Sequence, residues 1–192
     1  MNSDKRADII QAALELIAER GFHDAPMSMI AKKAGVAAGT IYRYFESKDV
    51  LITELHCELA DNLSAHLEQN YPTDQPLREK FLYLNRELLR YFIEHPLIFR
   101  YMEQYSNSPY SIKLRNERFV SKSDNSAILI DIFERGIERQ VLKNLPKAAL
   151  FNLAFGPLFG LMRDHSLGFI TLDDSLIDKV SEACWDAIKR EY

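Results

Sequence analysis

Thr40, Tyr42, Arg43 and Tyr44 form the run of side chains in this chain best suited to bind a polyanion. One guanidinium and three hydroxyls within five residues can donate to phosphate oxygens, and the rings and the threonine methyl can touch thymine methyl groups. Ala37, Ala38 and Gly39 precede them, small residues that let a backbone approach phosphates and base edges. Met27 and Ser28 open the preceding segment. Lys48 closes the stretch at the start of another helix, where the positive end of the helix dipole also favours phosphate. This is binding chemistry. The chain holds no GxSxG, P-loop or HExxH pattern, so nothing supports an enzyme. His56, Cys57 and His66 do not bring three ligands to one face, and Asp173 with Asp174 reads as a capping pair; neither a metal nor a cofactor is expected.

The elements that must position these residues can be read around them. Residues 26–34 read as a short helix, with Pro26 suited to its first position. Gly35 supplies the left-handed residue that ends a helix. Val36 re-enters the core, and residues 38–45 form a second short helix, with Phe45 inward and Tyr42 outward. A helix-turn-helix of this kind places its second helix in the DNA major groove. A formal net charge of −4 for the whole chain is set against a local excess: residues 26–48 carry Lys32, Lys33, Arg43 and Lys48 against Glu46 alone. Local charge governs phosphate contact, and an acidic remainder would leave only one end to dock.

The run AKKAGVAAGTIYRYFESKDVL resembles the DNA-binding signature of the tetracycline-repressor (TetR) family. The matching residues are Ile30-Ala31, Ala34-Gly35-Val36, Gly39-Thr40-Ile41-Tyr42, Tyr44-Phe45 and Ser47-Lys48, with Ala18-Glu19-Arg20-Gly21-Phe22 ending the helix before them. The resemblance covers the first quarter of the chain. Beyond it, length and helical content match. The sequence departs from the family pattern at Ala25, where a Thr or Ser cap is usual, at Met29 in place of an acidic residue, and at Ala37 and Ala38 in place of Ser and Lys.

The rest of the chain has helical periodicity throughout, without strand alternation or internal repeats. Helices are expected over residues 4–20, 47–69, 76–94, 97–105, 126–139, 146–165 and 174–189, with 110–125 ambiguous. Leu51, Leu55, Leu59, Leu63 and Leu67 line one helix; Phe81, Leu84, Leu88 and Phe92 line the next, and Ile130, Phe133 and Ile137 are inward on another. The helix after Pro146 is apolar nearly all round, so it must be covered on every side. In so small a chain one side faces the protomer and the other a second copy, and Gly156 and Gly160 permit close approach. The expected dimer contacts are Phe151 and Gly160 with Leu176, Val180, Cys184 and Ile188 of the following helix. With 47% hydrophobic residues, two cysteines far apart and no run able to span a bilayer, a soluble chain of the reducing cytoplasm is expected, without a signal peptide or membrane partner.

Taken together, the residues and the resemblance imply an all-α homodimer of about nine helices. A three-helix helix-turn-helix head, residues 1–48, sits on a larger C-terminal helical bundle, residues 49–192, for ligand binding and dimerisation. The implied function is a ligand-responsive transcriptional repressor on a palindromic double-stranded DNA operator. A small hydrophobic or amphipathic effector would tilt the helix after the head and move the two heads out of register. The aromatics Phe92, Phe99, Tyr101, Tyr105, Phe119, Phe133, Phe155 and Phe159 read singly as core and as a group suit an effector cavity. Met102 joins that wall, with His95, Arg100, Asn152 and Arg163 as polar anchors. The alternative is a helical ligand-binding or interaction protein that has lost specific DNA binding.

Overall fold

The computed structural model describes residues 5–112 and 127–190. Phe119 and the side chain of Ile130 lie outside the described positions. Nine named helices account for most of the described chain: α1 (Lys5–Arg20), α2 (Met27–Lys33), α3 (Ala38–Tyr44), α4 (Lys48–Glu68), α5 (Leu77–Glu94), α6 (Pro96–Ser106), α7 (Ala127–Glu138), α8 (Lys147–Ser166) and α9 (Asp174–Ile188). Among the described residues there is no sheet, only an isolated antiparallel bridge between Leu142 and Lys189.

Two compact units emerge, Met1–Asn62 with His95–Leu114, and Leu63–Glu94 with Arg115–Tyr192. The first therefore extends past residue 48 on both counts: it keeps most of α4 and recruits α6 from fifty residues downstream. The reason is hydrophobic. Ile9, Ala13 and Ile17 of α1, Ile30 of α2, Ile41 and Phe45 around α3, and Leu51, Ile52 and Leu55 of α4 form one core, and Tyr101 of α6 lies within it without exposed surface. Tyr101 gives its hydroxyl proton to the Ile52 carbonyl at 3.5 Å. Burial pushes its ionisation far above the ordinary tyrosine range.

Local chemistry sets the helix ends. Gly35, at φ +68°, takes a left-handed conformation that a side chain resists, and the Val36 amide then donates to the Ala31 carbonyl at 3.0 Å. Pro26, expected inside α2, is its N-cap with ψ 155° and makes no side-chain cap bond. Ala25, expected as the cap, is fully buried; an apolar methyl there contributes packing where Thr or Ser would contribute a hydrogen bond. Ser47 caps α4 through the Val50 amide at 3.2 Å, and Asp173 caps α9 through the Leu176 amide at 2.8 Å.

The second unit gathers α5, α7, α8 and α9. Phe81, Leu150, Phe155, Leu158, Met162, Trp185 and Ile188 are buried in it. The α8 helix runs unbroken through Pro157. Its inward residues are Leu150, Ala154, Phe155, Leu158 and Met162, while Leu153, Gly156 and Pro157 are exposed and Gly160 half-exposed. In the neighbouring α9, Leu176 and Val180 are half-exposed. Cys184 and Ile188, expected on the dimer surface, are buried in the protomer; their turn of α9 faces inward beside Trp185. Phe151 is half-buried, with its ring 5.0 Å from Phe155 and 6.4 Å from Phe133, and so belongs partly to the interior.

Gly136 of α7 makes the tightest approach in this unit. A Cβ there would collide with the side chain of buried Leu142 and stand 3.0 Å from Leu77 Cδ2. Replacing a helical glycine with alanine ordinarily gains about 1 kcal/mol, but overpacking costs about 1–3 kcal/mol. Gly136→Ala should therefore lower the midpoint of thermal unfolding followed by circular dichroism; a raised midpoint would show that Leu142 yields freely.

Candidate nucleic-acid interface and aromatic core

Ile41 of α3 and Phe45, the residue that caps its end, point inward with no exposed surface. Their anchoring turns the other face of a seven-residue helix outward. Tyr42 is 56% exposed and Tyr44 43%; Arg43, Gly39, Ala38 and Ala37 are exposed and Thr40 is half-exposed. Seven of the ten residues expected at the interface thus share one short exposed segment. Ser28, on α2, is also exposed. Met27 is not available: it is 7% exposed and belongs to the core of this unit, because the first turn of α2 carries it inward beside Ile30. Met27 is withdrawn from the interface on that ground.

The basic charge divides further than composition suggests. Lys33 is paired with Glu15 at 2.8 Å, and this bond holds its pKa above the ordinary lysine value. The Lys48 ammonium donates to the Phe22 carbonyl. Burial lowers its pKa. Lys48 thus straps the turn between α1 and α2 to the start of α4, a positioning role that sequence alone did not reveal. Lys32 and Arg43 are exposed and supply the charge able to reach a phosphate. Arg6 supports the scaffold from the other side, bonding Glu54 at 2.7 Å and Glu58 at 2.5 Å and standing 5.6 Å over the Phe45 ring. These side chains are about two-fifths exposed, so screening keeps their contribution small.

The residues expected around an effector fall into separate places. Phe99, Tyr105 and Met102 lie in the first unit, where Tyr105 is part of the core and Met102 packs against it. The Tyr105 ring stacks on His56 at 3.7 Å and meets Phe22 at 6.2 Å. Tyr105 thus takes the core place that each aromatic singly was expected to take. His95, Arg100, Asn152 and Arg163, expected as anchors, are all exposed, so none is a buried polar group. In the second unit the expected aromatics do assemble. Phe155 of α8 lies 6.1 Å from Phe81 of α5 and 6.1 Å from Phe133 of α7, and Phe159 lies 5.9 Å from Phe92.

Comparison with known proteins bears on both halves of this arrangement. Residues 9–55 match the family model of bacterial regulatory proteins of the tetR family. Residues 76–189 match the tetracyclin repressor-like C-terminal domain. The chain belongs to the TetR family. An uncharacterized HTH-type transcriptional regulator of Haemophilus influenzae is 26% identical over 188 residues, 98% of this chain and 97% of that protein. A putative TetR-family regulator from Vibrio parahaemolyticus, known by structure, is 32% identical, covering 98% of this chain and 100% of its own, with a TM-score of 0.79. The fatty acid metabolism regulator protein of Bacillus subtilis is 41% identical over 76 residues, 40% of this chain and 39% of that protein. The structure of FadR from Bacillus subtilis in complex with stearoyl-CoA shares the fold, at 21% identity and a TM-score of 0.71 over 94% of this chain and 95% of that one.

A DNA-binding transcriptional regulator with an N-terminal helix-turn-helix is the function these relatives share, and no enzyme family is indicated. Among the described residues no helix is long and apolar enough to cross a membrane.

Three substitutions separate the roles in the head. Arg43→Ala should lower the salt slope of operator binding by about one, the signature of one lost phosphate contact. Tyr42→Ala should weaken binding without changing the melting temperature, because its ring is mostly exposed. Lys48→Ala should weaken binding with the slope retained, since the ammonium holds Phe22. Anisotropy titrations at several salt concentrations check all three, and a parental slope for Arg43→Ala would remove Arg43 from the interface.

Proposed function

We propose that this regulator is a repressor that binds a palindromic operator as a homodimer and leaves it when a hydrophobic effector, a long-chain acyl compound, enters the second unit. The exposed edge of α3, held by Ile41 and Phe45, is the observation that carries the DNA reading. Ser28, Ala37, Ala38, Gly39, Thr40, Tyr42, Arg43 and Tyr44 are its contacts. Two such edges must fit half-sites about 34–36 Å apart or a multiple of that. The compartment is the cytoplasm, where the operator lies.

Support for the dimer comes from the solvent side of α8 and α9. Leu153, Gly156, Pro157 and Gly160, with Leu176 and Val180, leave an apolar surface uncovered in the protomer, and a second copy covers such a surface at low cost. Support for the effector comes from the aromatic layer of Phe92, Phe133, Phe155 and Phe159, which suits an apolar tail. The fold shared with a regulator bound to stearoyl-CoA favours an acyl chain. An effector acts only through unequal affinity for the DNA-bound and free states.

A mobility-shift titration with the DNA upstream of the gene tests the whole reading: a retarded complex should form and dissolve on addition of stearoyl-CoA. No retardation at low salt would overturn the repressor. The dimer has its own test. A Cβ at Gly160 meets no atom within 4 Å, so Gly160→Leu should leave the protomer's helical content unchanged. It should raise the dimer dissociation constant by about five- to 150-fold, as overpacking by about 1–3 kcal/mol implies. Sedimentation on dilution reads this, and parental dimerisation would place the interface elsewhere.

A further inference from the structure

Asn85 sits in the middle of α5 with no exposed surface. Neither its amide nitrogen nor its amide oxygen has a hydrogen-bond partner among the described residues. The helical register places it on the stripe Phe81, Asn85, Leu88, Phe92. That stripe faces α8 on both sides of Asn85: Phe81 meets Phe155 at 6.1 Å and Phe92 meets Phe159 at 5.9 Å. A polar amide therefore interrupts an aromatic layer at its centre. Burying an amide with donor and acceptor both unmet is expensive for any chain, and an apolar residue of similar size would fill the position without that cost. The other described polar side chain buried in this unit, Ser181, is satisfied by the Ile177 carbonyl at 2.8 Å.

We propose that Asn85 is the polar anchor of the effector, donating from its amide nitrogen to a neutral acyl carbonyl whose apolar chain lies in the aromatic layer between α5 and α8. The neutrality follows from the surroundings. An asparagine offers donors and an acceptor but no charge, and no described Lys or Arg is buried. A free carboxylate would enter without a compensating cation, which burial penalises heavily. A thioester, ester or amide carbonyl meets the amide donor without that penalty. This rests on the acyl-effector reading above and adds to it the residue and the functional group.

Trp185, the single tryptophan of the chain, lies 5.5 Å from Phe81 and reports occupancy of the layer by fluorescence. The parent, Asn85→Leu and Asn85→Ala are each titrated with stearoyl-CoA and with stearate below its micellar concentration. The parent should bind the thioester more tightly than the carboxylate. Both variants should lose at least about fivefold in affinity for stearoyl-CoA, the cost of leaving a buried carbonyl without its donor, and less than about twofold for stearate. Asn85→Leu should also melt no lower than the parent in the absence of ligand; if its bulk disrupts folding, the smaller Asn85→Ala decides. Parental affinity for stearoyl-CoA in a folded variant overturns the anchor and leaves the acyl effector standing. Equal losses for both probes overturn the selection for a neutral carbonyl. A parent that binds neither probe overturns the acyl reading and the anchor with it.

Discussion

The burial of Tyr101 within the N-terminal unit is the constraint on which the rest of that unit depends. Its ring lies 5.8 Å from Phe22 and 5.9 Å from Tyr105. Phe22 occupies the turn that Lys48 straps to α4. The same aromatic cluster continues to Tyr110, whose ring lies 5.2 Å from Phe22 and whose hydroxyl donates to Asp49 at 2.8 Å. One aromatic knot therefore ties the end of α1, the start of α4 and the whole of α6. The orientation of α3 follows, since Ile41 and Phe45 pack into the core that this knot completes. Removing a ring of this size from such a site costs about 3–5 kcal/mol, a large share of what holds any small unit together.

That dependence gives the helix-turn-helix its rigidity. A seven-residue helix is far too short to be stable alone, and α3 has no side-chain cap. Tertiary packing holds it. Position is thus decided by buried residues, and the exposed residues are free to vary without moving the helix. A chain can carry alanines at 37 and 38 without altering where Thr40, Tyr42 and Arg43 are presented.

Much of this was legible in the sequence, and the reasons are local. Glycine at 35, the four-residue spacing of the leucines in α4, and the proline and aspartate ahead of α8 and α9 act through nearest neighbours, and the helices begin and end within a few residues of where those signals stand. The exposure of Tyr42 and burial of Phe45 followed from helical register. What could not be read was which long-range partner wins. Met27 looked accessible beside Ser28, yet the turn of α2 buries it. Tyr105 and Met102 pack with a core begun ninety residues earlier, a partnership that no local signal announces. Lys48 looked like a free cation until the Phe22 carbonyl was found beside it. Asn85 left a visible trace, a lone amide on an otherwise apolar stripe of α5, but only burial gave that trace meaning.

The aromatic knot also bears on modularity. Here the head is discontinuous in the chain: residues 95–114 belong to it as fully as residues 1–62. A graft made at a single junction after α4 would import a foreign α6 against Phe22, His56 and Ile52. The hybrid would inherit either a void or a clash where Tyr101 stood. Moving this unit intact therefore calls for a two-segment transplant, residues 1–62 together with 95–114.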